Sequence, residues 1–140
     1  MVDQRVQDDE VEAAIAAREA LRPTVWTGHL ILYGTDAERS ATFYEIVGKR
    51  RVAVMAPFAV MELRGGTHLV IRTAEKPAPE AAPFDFMVDD LPATREKFGA
   101  AGVPMSGVSR DELNTHDQFT ITDPDGNTIT VKDSHVVGPA

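Results

Sequence analysis

The sequence predicts an α+β fold of two βαβββ modules, with curled mixed sheets forming a cleft and an extra helix at the N-terminus. Three observations carry this prediction. The first is a weak internal repeat: residues 36–48 and 90–102 each run from an Asp able to cap a helix to a Gly able to end one. Tyr44 and Phe98 each fall eight residues after that Asp. The second is that each of these helices follows one strand-like segment and precedes three short apolar runs separated by turn residues. The third is size. A chain of 140 residues suits one domain, and one such module cannot bury a sheet face and a helix face alone. The two are therefore expected to pack on each other or to exchange with a second chain.

Taken in order, residues 8–22 place Val11, Ala14, Ile15 and Leu21 at helical spacing after an acidic first turn, with Pro23 beyond the end. This amphipathic helix is expected to dock on the domain or on a second subunit. A strand over 25–33 is bounded by Pro23 and Gly34-Thr35-Asp36, and a helix over 37–47 is stopped by Gly48. Strands over 51–55, 58–63 and 68–72 form a meander, parted by Pro57 and by Arg64-Gly65-Gly66-Thr67. Residues 74–83 hold three prolines, four alanines and two glutamates, a connector composition. The pattern then restarts with a strand over 84–88 and a helix capped by Asp90, striped by Leu91, Thr94, Phe98 and Ala101 and ended by Gly102. Strands over 103–108, 118–122 and 128–132 follow. The last two are joined by Asp123-Pro124-Asp125-Gly126, the residue order of a type I turn. The expected division is a helical extension over 1–25, one domain over 26–133 (modules 26–73 and 83–133, linker 74–82), and a tail over 134–140.

Composition narrows the function. The apolar fraction is 43% and the charged fraction 26%, and no apolar run approaches the ~20 residues that cross a bilayer. The opening Met1-Val2-Asp3-Gln4-Arg5 is too polar for a signal peptide, so the cytoplasm is the expected compartment and no membrane partner is expected. The absence of Cys removes disulfides, zinc ribbons and thiol nucleophiles. With 22 acidic and 14 basic residues the net charge is −8, which repels polyphosphate backbones, and nucleic acid is not an expected partner. There is no glycine-rich phosphate loop, no serine elbow and no His-Glu-x-x-His. Lys49-Arg50-Arg51 sits at a helix end, where the macrodipole favours cations.

The segment Gly28-His29-Leu30-Ile31-Leu32-Tyr33-Gly34-Thr35-Asp36, with Ser40, Phe43-Tyr44 and Gly48, resembles the opening of the vicinal oxygen chelate superfamily. That superfamily includes glyoxalase I, extradiol dioxygenases, fosfomycin resistance proteins and bleomycin-binding proteins. The closing Phe119 to Ile129, with Asp123-Pro124-Asp125-Gly126-Asn127, is similar to its signature there. The resemblance covers about residues 26–133 and implies the fold; many reactions share this scaffold. It further implies up to four metal-ligand positions. His29 occupies the first, seven residues before the capping Asp36, but the other three fall on Pro83, Val70 and Thr130. With three of four ligands missing, no divalent metal and no other cofactor is expected.

Strand alternation sets the cleft wall. With Leu30 and Leu32 toward the helix, His29, Ile31 and Tyr33 face inward. Leu69 and Ile71 likewise turn His68, Val70 and Arg72 inward, and Phe84, Phe86 and Val88 leave Asp85 and Met87 on the cleft face. Ile129 and Val131 leave Thr128, Thr130 and Lys132 there. The candidate ligand-binding residues are thus His29, Tyr33, His68, Arg72, Asp85 and Thr130, on a face of apolar area with scattered polar tips that suits a small organic ligand.

Blander readings stand beside these. His29 can be packed against its neighbours, hydrogen-bonded to a ligand, or bound to metal; His68 can be a solvated edge residue; and Arg72 with Asp85 can form an ordinary ion pair. Tyr33, Trp26, Phe58 and Met61 read as core unless they gather on the cleft face as a stacking platform. His116 reads as an exposed loop residue near the cleft mouth. Asp123 and Asp125 read as turn-capping residues. The leading expectation is a glyoxalase/bleomycin-resistance-like homodimer that binds a small organic molecule in a metal-free cleft, of sequestration or resistance type. The alternatives are a metal-dependent lyase, isomerase or dioxygenase with an off-pattern site drawn from His29, His68, Asp85 or His116, and an accessory or regulatory domain.

Overall fold

The computed structural model describes residues 3–135. Gly28–Ser134 forms one compact unit, and the described residues before Gly28, with His135, belong to a second. Beyond His135 the predicted tail lies outside the described residues. In the second unit, helix α1 spans Gln4–Ala20, not 8–22. Its start lies earlier because Asp3 caps it, accepting the Arg5 N–H at 3.0 Å. Among the described residues no helix is long and apolar enough to cross a membrane.

The larger unit contains both modules. The first runs β1 (His29–Gly34), α2 (Ala37–Ile46), β2 (Arg50–Met55), β3 (Phe58–Glu62) and β4 (His68–Thr73). The second runs β5 (Ala81–Val88), α3 (Leu91–Ala100), β6 (Ser109–Asp111), β7 (His116–Thr122) and β8 (Thr128–Asp133). Each module folds into a four-stranded mixed sheet, in the orders β1-β4-β3-β2 and β5-β8-β7-β6. In each, the first and last strands pair parallel and the others antiparallel. The repeat seen in sequence is physical: Asp36 and Asp90 accept the Arg39 and Ala93 N–H groups at 2.9 and 3.0 Å. Gly48 and Gly102, which follow the helices, have φ of 92° and 79°, a region costly for residues with a Cβ.

Alternation decides what is buried. Leu32, Ala59, Met61, Leu69 and Ile71 point from the first sheet toward Ala41, Phe43 and Tyr44 of α2, while Phe86, Phe119, Ile129 and Val131 join Leu91 and Phe98 of α3. One hydrophobic core contains all of these residues.

Three sequence expectations are corrected. The first strand begins at His29, not at residue 25, because its partner β4 begins at His68, directly after the Arg64-Gly65-Gly66-Thr67 turn, so earlier residues have no ladder to join. Residues 103–108 are not a strand. Pro104 lacks an N–H, and the segment follows β7 through a single bridge at Met105 and the Ser106 N–H to the Thr120 carbonyl, regular pairing beginning only at Ser109. The linker ends early, since Ala81 already pairs with Thr128.

The turn after β7 clasps the two modules. Asp123 Oδ1 accepts the Asp125 and Asn127 N–H groups, both at 2.9 Å, as turn capping requires. Its other oxygen accepts the Tyr44 hydroxyl from α2 at 2.8 Å and the Asn127 amide at 3.0 Å. Asn127 also donates to the Tyr33 carbonyl at 2.9 Å. Asp125 meets the Thr35 hydroxyl and Arg39, each at 2.8 Å. Gly34 is needed at the seam, since a Cβ there would lie 2.6 Å from Asp125 Oδ2. Burial, and then the adjacent Asp123 carboxylate, push the Tyr44 phenol far above its ordinary value.

Candidate functional site

The face of the first sheet opposite α2 is open and forms a groove of about 680 Å³. Register divides it into three transverse rows. At one end Tyr33, Arg72 and Phe58 are cross-strand neighbours on β1, β4 and β3. The middle row is aliphatic: Ile31, Val70 and Val60. At the far end stand His29, His68 and Glu62, with Arg50 beside Glu62 on β2. The two imidazoles meet edge to face with centroids 5.8 Å apart, and Glu62 is ion-paired with Arg50. Pro57, in the turn between β2 and β3, closes the wall at the Arg72 end.

The corresponding face of the second sheet is different in kind. Asp85, Thr130 and Thr120 form one row, and Met87, Lys132 and Gln118 the next. Lys132 Nζ lies 3.4 Å from Asp111 and 3.8 Å from Asp85, so the charges there are already paired. The Asn114 backbone N–H, with the Asn114 side chain, Lys132 and the Leu113 N–H adding to it, holds Asp111 below the usual carboxylate range.

The structure therefore divides the six sequence candidates. His29, Tyr33 and Arg72 line the groove, and His68 stands beside His29 at its end, half-buried against the other ring instead of being a solvated edge. Asp85 and Thr130 lie on the second sheet. The envisaged Arg72–Asp85 ion pair is absent among the described residues, since Asp85 faces Lys132.

Tyr33, 45% exposed, and half-buried Phe58 are groove residues and not core, whereas Met61, of opposite strand parity to Phe58, is fully buried beneath them. Trp26 is 71% exposed and precedes β1. His116 is not a loop residue: it opens β7, is buried, and sets Nδ1 2.7 Å from the Asp133 carbonyl and 3.0 Å from its Oδ1. Sequence reasoning missed the groove role of Val60 and Pro57. Strand parity with Phe58 was the available signal for Val60.

The donor set at the family's four positions does not fit a divalent metal. Of the four family positions, His29 alone offers an imidazole or carboxylate. Val70 lies inside the aliphatic row, Pro83 is within β5, and Thr130 is flanked by Asp85 and Thr120. Among the described residues, no three His, Asp or Glu side chains that include His29, His68 or Asp85 bring ligand atoms within 4.8 Å of one another.

Comparison with known proteins bears on the fold. The model of the Glyoxalase/Bleomycin resistance protein/Dioxygenase superfamily matches residues 26–131. No curated protein matches the chain. A lactoylglutathione lyase from Agrobacterium tumefaciens is similar in structure, with TM-score 0.66 and 20% identity over 81% of this chain and 96% of that one. So is a bleomycin resistance determinant encoded on transposon Tn5, with TM-score 0.65 and 19% identity over 80% and 100% of the two chains. An integron cassette protein from the mobile metagenome of the Halifax Harbour sewage outfall superposes with TM-score 0.68 at 17% identity, over 78% and 98%. At such identities the likeness is one of fold.

Proposed function

The chain belongs to the glyoxalase/bleomycin resistance protein/dioxygenase superfamily, and on that premise we propose that it binds a small organic molecule in the first-module groove, without a divalent metal, as a cytoplasmic protein of sequestration or resistance type. The observation that carries this reading is the groove itself: an aliphatic middle row between two polar ends, within the size of small-molecule pockets. Pro83, Val70 and Thr130 at the family's ligand positions offer no side chain to hold the ion that a lyase, isomerase or dioxygenase of this family would use.

The test is a thermal-shift screen of aromatic metabolites and antibiotics, repeated for the best hit on His29→Ala and Arg72→Ala. Hydrogen bonds to a ligand contribute about 0.5–1.5 kcal/mol, more when charged, so each variant should bind several-fold more weakly while melting close to the parent. Variants that bind as tightly as the parent yet unfold early would move the site elsewhere. A second expected outcome concerns metal. Purified protein should carry no stoichiometric Zn, Ni, Mn or Fe, and a chelator should leave its melting temperature unchanged; one tightly held ion per chain would reverse this.

The reading includes a homodimer. Val52 and Met55, 52% and 59% exposed, lie on β2, the edge strand of the first sheet, where a second copy can cover them without filling the groove. Sedimentation equilibrium should return twice the chain mass at micromolar concentration. A monomer at that concentration would overturn the homodimer.

A further inference from the structure

We infer that the first-module groove selects organic anions, an aromatic or aliphatic body bearing one carboxylate, and that it orients them with the carboxylate between Arg72 and Tyr33. This rests on the groove being the ligand site and goes further by fixing the ligand's charge and direction.

Arg72 is unlike the other arginines of the chain. Seven of the described arginines face a carboxylate. Arg95 donates to the Ser106 carbonyl at 2.8 Å, and Arg18 is also engaged. Neither the Arg72 guanidinium nor the Tyr33 hydroxyl has a hydrogen-bond partner among the described residues. The cross-strand neighbours of Arg72 are Tyr33 and Phe58, neither acidic, and the next row inward is aliphatic. The groove's one carboxylate row is Glu62, two rows away or roughly 13 Å at about 3.3 Å per residue, and it is already held by Arg50. In a protein of net charge −8 with its other described arginines occupied, one guanidinium has been left open at the end of an apolar groove.

Physical chemistry then restricts what the groove can take. A neutral ligand lying on Ile31, Val60 and Val70 would cover Arg72 and strip its water without replacing it, a cost that cancels much of the apolar gain. A carboxylate matches the planar guanidinium fork with two parallel hydrogen bonds, and the Tyr33 hydroxyl can donate a third. A doubly charged phosphate fits less well, since only one cation faces it and the surplus charge would lie over the aliphatic row. The opposite end carries two imidazoles and Glu62, whose carboxylate is already paired with Arg50.

The test uses a matched pair of probes, 2-naphthoate and the neutral 2-naphthamide, titrated into full-length protein and followed by backbone amide shifts. The expected result is saturable shifts on β1, β3 and β4, with 2-naphthoate binding at least about tenfold more tightly, the range of a charge-assisted contact. Arg72→Gln should weaken 2-naphthoate about tenfold and leave 2-naphthamide within about twofold, so that the preference disappears; Arg72→Lys should keep part of it; Arg110→Gln should change neither. If 2-naphthamide binds in the groove as tightly as 2-naphthoate, or if the preference survives in Arg72→Gln, the inference is overturned while the groove remains the site. If neither probe shifts those three strands, both the inference and the groove reading fail.

Discussion

Replacing Asp123 with Ala should lower stability by about 3–5 kcal/mol, the range for breaking a buried polar network, and leave little folded protein at 37 °C. The carboxylate is 6% exposed and satisfies four donors: the Asp125 and Asn127 N–H groups, the Asn127 amide and the Tyr44 hydroxyl. Ala leaves all four to find other partners, and the Tyr44 hydroxyl lies in the core, where no water replaces the lost acceptor. Tyr44→Phe should cost less, about 1–2 kcal/mol, because it removes one donor and leaves the turn capped. The double variant should be less destabilised than the sum of the two, since the hydroxyl that Asp123→Ala strands is then absent. Urea unfolding of the four proteins measures this; full additivity would mean that the clasp does not couple the modules.

The second large effect is on pH dependence. Lys49 Nζ lies 3.9 Å from the centre of the Phe86 ring and 3.4 Å from the Val47 carbonyl, with burial pushing its ammonium down to about 8. The folded state thus releases this proton before the unfolded chain does, and between pH 8 and about 10.4 the unfolded chain binds more protons, so stability rises with pH. Tyr44 has the opposite sign. Its folded phenol titrates far above the unfolded value of about 10, so its contribution is fully present below pH 10 and is lost as pH rises further. Stability should therefore peak near pH 10. A folded value of about 8 against about 10.4 in the unfolded chain makes this rise about 3 kcal/mol. Lys49→Met should gain a similar amount at pH 7 and flatten the rise, and Tyr44→Phe should remove the fall. Chemical denaturation at four pH values between 7 and 11 reads both, and a Lys49→Met profile that keeps the rise would assign it to another group.

What the sequence made legible follows from which interactions are local. Helix caps at Asp36 and Asp90, the glycines that follow, and strand parity are set by neighbours within a few residues, so both modules and the inward direction of His29, Tyr33 and Arg72 could be read directly. Strand ends were harder, because His29 is where β1 begins only by virtue of a partner almost forty residues on. His116 was misplaced for the same reason: its burial depends on Asp133 of a neighbouring strand. Asp85 and Thr130 belong to rows of the second sheet, whereas the lining of the groove comes from the first. Register gives each face its own rows, with the charges of the second already paired among Lys132, Asp85 and Asp111. The Tyr44–Asp123 bond joins residues 79 positions apart, and no local pattern announces it.

The central claim is that the first-module groove holds an organic ligand without an ion. Its most direct test is an amide-shift titration of the protein with the best hit of the screen, in buffer stripped of divalent ions and again with added Zn or Ni. The account predicts one saturable site per chain, shifts concentrated on β1, β3 and β4, and the same affinity in both buffers. Shifts centred on β5 to β8, or binding that appears only when the ion is added, would contradict it.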